Sequence, residues 1–337
     1  MTDAVRIYVV TFRRPQLLER ALRSVMAQTH GDWAAEVLND DPADARVPRI
    51  IEALGDPRIR LLLPSMHRGG TGNFNHAFRT VAEPFASILE DDNWWEPGFL
   101  STMVAALARH PEAAVACGNE RVWKENHGGT WTDSGRNAWP EAEGERLLQW
   151  GALDKCGTAR LCNSSLVFRT AGSEKWRTPQ SIPIDVTEHF RERVAPHPML
   201  LIHKPLVNFA QTLATSRSSG AVWASYQVLL VGSVLALAQS GCRRGIARAL
   251  WERARKSDPF LATTLIATGL LVTPARALWR EARLPEKIRF AAGVLRHPVS
   301  AASLLRTLER HSHEWAWLQK GAFAEFMAQD LTFSENR

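Results

Sequence analysis

Three acidic residues, Glu90, Asp91 and Asp92, stand side by side directly after the apolar run from Phe85 to Leu89. Adjacent carboxylates repel one another and lower stability unless a cation or hydrogen-bond donors neutralise them. Carboxylate oxygens suit Mg²⁺ and Mn²⁺, and such ions are usually held by one or two carboxylates together with phosphate oxygens. The triplet therefore predicts a divalent-metal site, with a solvated acidic loop or a helix cap as the alternative.

Other polar or glycine-rich segments also follow short apolar runs. They are Thr11 to Arg14, Asn39 to Asp41 and the turn from His67 to Gly72. Between these runs the apolar residues recur with the spacing of one helix face, and Pro15 suits a first helical turn. Strands that alternate with helices predict an α/β fold with a mostly parallel central sheet, in which ligands collect at the carboxyl ends of the strands.

Three segments in this order carry a family resemblance. They are Val9 to Leu18 (VVTFRRPQLL), Leu38 to Pro42 (LNDDP) and Leu89 to Pro97 (LEDDNWWEP). Together they resemble the family 2 glycosyltransferases of the GT-A fold. The resemblance implies a GT-A type domain over residues 1–215, with a nucleotide-binding half at 1–100 and an acceptor half at 101–215. Residues 216–337 are rich in Ala, Leu and Arg and predict a C-terminal helical region.

By this resemblance, Thr11, Arg13 and Asp91 lie beside the nucleotide, and Asp40 accepts hydrogen bonds from the base, most often uracil. A carboxylate suits an imide N–H because it only accepts hydrogen bonds. A simple turn residue is the alternative role for Asp40.

Asn75 falls in a segment that matches the family's glycine- and asparagine-containing nucleotide-binding segment. The family usually has an Arg before this Asn, but here that residue is Phe74. Asn75 is therefore a candidate nucleotide-binding residue, with a helix cap as its alternative.

The acidic triplet takes the place of the family's D-x-D motif, with Glu in its first position. The resemblance implies that Asp92 is a direct ligand of Mn²⁺ or Mg²⁺, and that Glu90 binds directly or through water. The ion would neutralise the charge on the departing diphosphate.

An acceptor hydroxyl also needs a base to take its proton. Family members commonly have a Glu-Asp pair at the start of a helix and an Arg six residues later. Here Asp185 and Arg191 match that pattern, but Ile184 replaces the Glu. The resemblance implies Asp185 as the base, with Glu188 as its substitute and a helix cap as the structural alternative. A base opposite the leaving group implies inversion at the sugar carbon.

The predicted function is inverting transfer of a sugar from a nucleotide diphosphate sugar, most readily a UDP-sugar, to an unidentified hydroxyl acceptor in surface polysaccharide or glycan biosynthesis. One alternative is a non-catalytic module that binds a nucleotide or carbohydrate, which the missing Glu favours. The other is a sugar-phosphate nucleotidyltransferase, against which the segment from Thr11 to Pro15 contains no glycine.

The net charge of +6 is concentrated in the tail, since residues 220–337 hold 16 Lys and Arg against 9 Asp and Glu. Solvated helix faces explain this charge without a nucleic-acid partner, while basic residues beside apolar helices also suit peripheral contact with the inner face of a membrane. The apolar stretches Val228 to Ala238 and Phe260 to Val272 are shorter than the roughly 20 residues that span a bilayer. The start of the chain does not resemble a secretory signal, and the four cysteines are scattered, so a cytoplasmic location is expected.

Overall fold

A computed structural model describes residues 3–63, 67–156, 159, 161–214, 217–257 and 259–329. The chain forms two compact units that interleave in sequence. The first unit comprises Met1–Gln149, Ala159–Ile184 and Ala195–Ser216, and the second comprises Trp150–Thr158, Asp185–Val194 and Arg217–Arg337. The predicted functional division at residue 215 stays a prediction. Two short segments before residue 215, Trp150–Thr158 and Asp185–Val194, belong to the same unit as the C-terminal helices.

The first unit holds the strands and the first four helices. The strands are β1 (Val5–Thr11), β2 (Trp33–Asn39), β3 (Ile59–Leu62), β4 (Phe85–Glu90), β5 (Trp94–Trp95), β6 (Val115–Glu125), β7 (Trp131–Asn137), β8 (Glu145–Leu148), β9 (Leu166–Arg169) and β10 (Met199–Gln211). The helices are α1 (Pro15–Met26), α2 (Arg46–Leu54), α3 (Gly69–Ala77) and α4 (Phe99–Arg109).

All of these strands belong to one sheet, whose main order is β3-β2-β1-β4-β9-β6-β10-β5, with β7 paired to β6 and β8 to β10. The part built from β3, β2, β1 and β4 is parallel throughout. β9 lies antiparallel between β4 and β6, and β6 is parallel to β10. The predicted α/β class is confirmed, and its parallel part is the half that carries the sequence motifs.

The register of the parallel strands brings their carboxyl ends to one edge. Thr11 at the end of β1 pairs with Asn39 at the end of β2, and Val10 pairs with Glu90 at the end of β4. β1 and β4 are buried along almost their whole length, as expected for strands of a parallel sheet covered on both faces. The polar residues that follow these strands are therefore held at one edge by a buried apolar core.

Helix α1 begins at Pro15, shortly after β1. A proline suits this first-turn position because its fixed φ and missing N–H carry no penalty there. Leu18, Leu22 and Val25 recur along one face of this helix and are buried in the core of the first unit. Their burial fixes the helix start beside the end of β1.

The glycine-rich segment predicted as a turn forms the entry and first turns of α3. Gly69 has a φ of 72°, in the left-handed region that favours glycine. At Gly70 an added Cβ would come within 2.3 Å of the Cδ1 atom of Ile184. The glycines therefore permit close packing at the start of the helix as well as the turn itself.

Within its described residues the second unit is helical. Its helices are α5 (Thr187–Val194), α6 (Gly220–Leu237), α7 (Arg243–Ser257), α8 (Pro259–Leu271), α9 (Arg276–Glu281), α10 (Leu284–Arg296), α11 (Pro298–Leu305), α12 (Thr307–Arg310), α13 (Ser312–Leu318) and α14 (Gly321–Gln329). Apart from their last residues, Ala238 and Val272, the two apolar stretches of the tail lie in α6 and α8, as predicted. In the part of the chain that the structure describes, α6 alone is long and apolar enough to cross a membrane, and 61% of it is buried inside the structure. That burial is typical of a core helix.

Candidate functional site

Asp91 is a fully buried carboxylate at the end of β4. The hydroxyl of Thr11 donates a hydrogen bond of 2.8 Å to its Oδ2 atom. The Nη2 atom of Arg14 lies 2.5 Å from Oδ1. Burial raises the pKa of Asp91 to about 7, although Arg14 lowers it, and the neighbouring Asp92 raises it further. Negative charge at this position is therefore only partly compensated by the protein.

Arg14 bridges two members of the acidic triplet, because its Nη1 atom also donates a hydrogen bond of 2.7 Å to Oδ2 of Asp92. Burial opposes the charge on Arg14, but the carboxylates of Asp91 and Asp92 raise its pKa above the ordinary value. Sequence reasoning missed this role. A signal was available, since Arg14 is the N-cap of α1, where a cation opposes the helix dipole and an acidic or hydroxyl side chain is usual.

Arg20 holds the backbone of the acidic triplet Glu90 to Asp92. Its Nη2 atom donates a hydrogen bond of 2.6 Å to the carbonyl oxygen of Asp92. The guanidinium lies 3.8 Å from the ring centroid of Trp94 and 4.3 Å from that of Trp131. Burial lowers the pKa of Arg20 to about 10. These contacts fix the position of the Asp92 peptide through an aromatic pair, a role that the sequence did not indicate.

Glu90 lies among hydrogen-bond donors at the same edge. Its Oε2 atom accepts hydrogen bonds from the hydroxyl of Ser164 at 3.0 Å, the amide of Asn93 at 3.2 Å and the thiol of Cys162 at 3.3 Å. These donors stabilise its charged form and orient the carboxylate.

The donor set fits a divalent cation. Asp92 is partly exposed and offers hard oxygen atoms, Glu90 is oriented at the same edge, and Asp91 contributes buried negative charge that local donors only partly offset. The guanidinium of Arg14 contacts Oδ2 of Asp92, one of the two carboxylate oxygens available to such an ion. A cation at Asp92 would therefore share or replace this contact.

Asp40 follows β2 and is buried, and contacts from the start of α3 hold its carboxylate. Oδ1 accepts a hydrogen bond of 2.9 Å from the backbone N–H of Arg68, and Oδ2 lies 2.9 Å from Nδ1 of His67. This geometry joins two of the segments that were predicted to converge. A carboxylate has lone pairs for about four donors, so these contacts leave acceptor capacity for a ligand.

Arg13 has a φ of 58°, which is unusual for a residue with a side chain. Its Nε atom donates a hydrogen bond of 2.7 Å to Asp41, so the ends of β1 and β2 are tied together. The side chain is 68% exposed and therefore remains accessible to a ligand. Backbone strain of this kind is often retained at ligand sites.

Asn75 lies in α3, and its side chain makes two hydrogen bonds with the backbone of Thr178. It donates at 2.7 Å to the carbonyl oxygen and accepts at 3.0 Å from the N–H. These hydrogen bonds satisfy the polar atoms of the buried side chain, so Asn75 has a structural role. Its contact with a nucleotide stays a prediction.

Asp185 and Glu188 belong to the second unit. Asp185 lies in the short 3-10 helix Ile184–Val186, and its carboxylate accepts hydrogen bonds from the backbone N–H and, at 3.1 Å, the hydroxyl of Ser218. Glu188 lies in the first turn of α5. Both residues therefore lie at the start of a helix. Their catalytic roles stay predictions.

Known proteins resemble part of this chain in sequence, and solved structures resemble its fold. Residues 6–168 match the model of "Glycosyl transferase family 2". The putative colanic acid biosynthesis glycosyl transferase WcaA of Escherichia coli K12 is 28% identical over 102 residues, which cover 30% of this chain and 37% of that protein. The E. coli UDP-Glc:alpha-D-GlcNAc-diphosphoundecaprenol beta-1,3-glucosyltransferase WfgD is 24% identical over 122 residues, covering 36% of this chain and 47% of WfgD. The chain thus spans less than half the length of either relative.

Among solved structures, residues 1–349 of TarS from S. aureus, crystallised with UDP, align with a TM-score of 0.53 at 11% identity. The alignment covers 96% of this chain and 89% of that one. At this identity the likeness establishes the fold, which is the GT-A type that the sequence predicted. The motifs at the strand ends all fall within the segment matched by the family model. Residues 6–168, a little under half of the chain, carry the match to glycosyl transferase family 2 that the sequence motifs predicted.

Proposed function

We propose that the protein transfers a sugar from a nucleotide diphosphate sugar to a hydroxyl acceptor with inversion, in the synthesis of a surface polysaccharide or other glycan. The observation that carries this proposal is the meeting of Thr11, Arg14, Asp91 and Asp92 at the carboxyl edge of the parallel strands, inside the segment that matches the family model. Ligands of open α/β sheets bind at this edge.

In the proposed donor complex, Asp40 accepts a hydrogen bond from the imide of the base, and Thr11 and Arg13 line the ribose and phosphates. UDP is favoured because a uracil imide supplies the N–H that a carboxylate needs. TarS was crystallised with UDP and WfgD is named for UDP-Glc, which supports the same choice. We propose a UDP-sugar as the donor on these grounds.

Asp92 and Glu90 would hold Mn²⁺ or Mg²⁺. When bound, the ion supplies charge neutralisation for the diphosphate leaving group. Arg14 adds a fixed positive charge beside Asp91 and Asp92. In this proposal Arg20 and its two tryptophans keep the Asp92 peptide in position, so that the ligand geometry needs little adjustment on binding.

Asp185 is the proposed base, with Glu188 as the substitute. A carboxylate here would take the proton of the acceptor hydroxyl as that oxygen attacks the anomeric carbon and the bond to the diphosphate breaks. We expect Asp185→Asn to keep donor binding and lose transfer, while Glu188→Gln keeps both. The opposite pattern would assign the base to Glu188.

The acceptor class is suggested by WfgD, whose name gives a lipid diphosphate acceptor. We propose a lipid-linked or otherwise membrane-associated glycan acceptor. A cytoplasmic protein in peripheral contact with the inner face of the membrane would meet such an acceptor.

The test of the donor site is a thermal-shift panel of uridine, thymidine and guanosine diphosphate sugars, with and without Mn²⁺. A ligand that binds only the folded protein raises the melting temperature. We expect the largest shift with a UDP-sugar and Mn²⁺, and its loss in Asp92→Asn. Asp32→Asn is the matched control, because Asp32 is an exposed aspartate just before the amino end of β2. Equal shifts for both variants would refute the metal site.

Hydrolysis of the donor without acceptor separates an enzyme from a binding module. The wild type is expected to release UDP slowly and Asp92→Asn to release none. Metal-dependent binding without release by the wild type, even with candidate acceptors, would favour the non-catalytic module.

A further inference from the structure

Helix α10 exposes a continuous apolar stripe. Leu284, Ile288 and Leu295 are 69%, 59% and 82% exposed, and Val299 on the adjoining helix α11 is 83% exposed. The spacing of Leu284, Ile288, Ala291 and Leu295 puts them on one face of the helix, since residues three and four apart are neighbours on a helix surface. Scattered single apolar residues are common on surfaces, but an aligned stripe of this size is characteristic of a binding surface.

The opposite side of α10 is anchored in the second unit. Phe290 packs against a cluster of Val228, Ala267 and Leu304. Glu286 is the one acidic residue of the helix, and Arg255 donates to it at 2.8 Å on this anchored side. The helix is therefore held in place by its other faces, while the stripe takes no part in the described core.

The charges around the stripe are almost all positive. Residues 283–306 contain five Lys and Arg and one Asp or Glu, and that acid is the ion-paired Glu286. Arg283, Arg289 and Arg296 are exposed beside the apolar face. An apolar face flanked by cations complements an anionic lipid surface, where acyl chains take the apolar residues and headgroups take the charges.

The size of the stripe favours a membrane over a second protein. Thirteen residues make a helix about 20 Å long, too short to span a bilayer and suited to lie in its plane. One helix face of this length offers a few hundred Å², below the roughly 800 Å² that each partner buries in a protein interface of standard size. We propose that the apolar stripe of α10, continued by Val299, docks the protein on an anionic membrane surface. This inference identifies the surface that would make the peripheral membrane contact, and it rests on that part of the proposed function. It does not depend on the identity of the sugar donor or of the catalytic base.

The test is co-sedimentation of the full chain with vesicles of phosphatidylcholine alone or with 30% phosphatidylglycerol. We expect the wild type to bind the anionic vesicles and to lose binding at high salt. The double variant Ile288→Ser/Leu295→Ser should bind at least 10-fold less tightly. Arg289→Gln/Arg296→Gln should weaken binding to anionic vesicles several-fold. The control Leu147→Ser changes a 40% exposed leucine of the first unit and should bind as the wild type does.

Donor binding, measured as the thermal shift with a UDP-sugar and Mn²⁺, should be equal in all four proteins. Such equality would show that a loss of vesicle binding is neither misfolding nor failure of the nucleotide site. Undiminished binding by the double serine variant, or no binding by the wild type, would overturn the proposal. A wild-type dimer in sedimentation velocity that the double variant abolishes would assign the stripe to a second copy of the chain instead.

Discussion

Replacing Asp91 with asparagine tests whether the buried charge of this carboxylate lowers the free energy of unfolding. Burial raises the pKa of Asp91 to about 7, whereas an unfolded aspartate titrates near 3.8. The folded protein therefore binds more protons than the unfolded chain between these values. Stability must fall as the pH rises through this window, because folding becomes linked to keeping a charge buried.

The magnitude follows from the two pKa values. Each unit of difference in pKa is worth about 1.4 kcal/mol, and integration from pH 5 to pH 7 gives a loss of about 2 kcal/mol for this one group. Asparagine has nearly the same shape and does not titrate. The free energy of unfolding of Asp91→Asn minus that of the wild type should therefore rise by about 2 kcal/mol over this range.

Urea unfolding at pH 5, 6 and 7, in EDTA to exclude divalent ions, measures this difference. Taking the difference between two proteins cancels the other titrating groups that they share. Asp32→Asn, with an exposed carboxylate, should give a flat difference. A flat difference for Asp91→Asn as well would mean that Asp91 ionises like a solvated carboxylate, and the argument from burial and partial compensation would be wrong.

Three further outcomes are expected. Burial lowers the pKa of His189 to about 3, so the folded protein binds fewer protons than the unfolded chain below about pH 6.5. Relative to His189→Phe, the wild type should therefore lose about 2 kcal/mol of unfolding free energy from pH 7 to pH 5, measured by the same titration; an equal pH profile would contradict the buried neutral ring. Gly269→Ala should cost about 1–3 kcal/mol in thermal unfolding, because its Cβ would come within 2.6 Å of the backbone nitrogen of Trp279. Gly293→Ala has open space and should stabilise by up to about 1 kcal/mol, so equal effects would refute the packing argument. Thr11→Val removes the hydroxyl donor from the buried carboxylate and should cost about 1–3 kcal/mol in urea unfolding; an unchanged midpoint would show that the hydrogen bond contributes nothing net.

The parallel half of the fold could be predicted because its strands are buried apolar runs that stop abruptly. The run from Phe85 to Leu89 begins where β4 (Phe85–Glu90) begins and ends one residue before it. The antiparallel strands β7 (Trp131–Asn137) and β8 (Glu145–Leu148) were not predicted. Their side chains are mostly exposed or partly exposed, so hydrophobic periodicity gives little signal there.

The candidate site could be predicted as a set of strand ends, but its internal contacts could not. Motif order placed Thr11, Asp91 and Asp92 at one edge, and the structure brings their side chains together. The bridging by Arg14 and the stacking of Arg20 depend on side-chain directions across separate elements, which spacing along the chain does not encode. For Asn75 the position near a helix start was predictable. Its hydrogen bonds to the backbone of Thr178, 103 residues further along the chain, were not.

The interleaving of the second unit affects how the protein can be shortened. Lys155 is fully buried with its ammonium 4.5 Å from the ring of Phe326, and Phe190 packs against Tyr226 and Trp317. A truncation after residue 216 would keep Lys155 and Phe190 but delete the helices that cover them, leaving the aromatic ring of Phe190 and the apolar stem of Lys155 exposed to water. Such a fragment is expected to aggregate through this exposed apolar surface, so a shortened protein that keeps residues 6–168 should retain the tail or replace both residues.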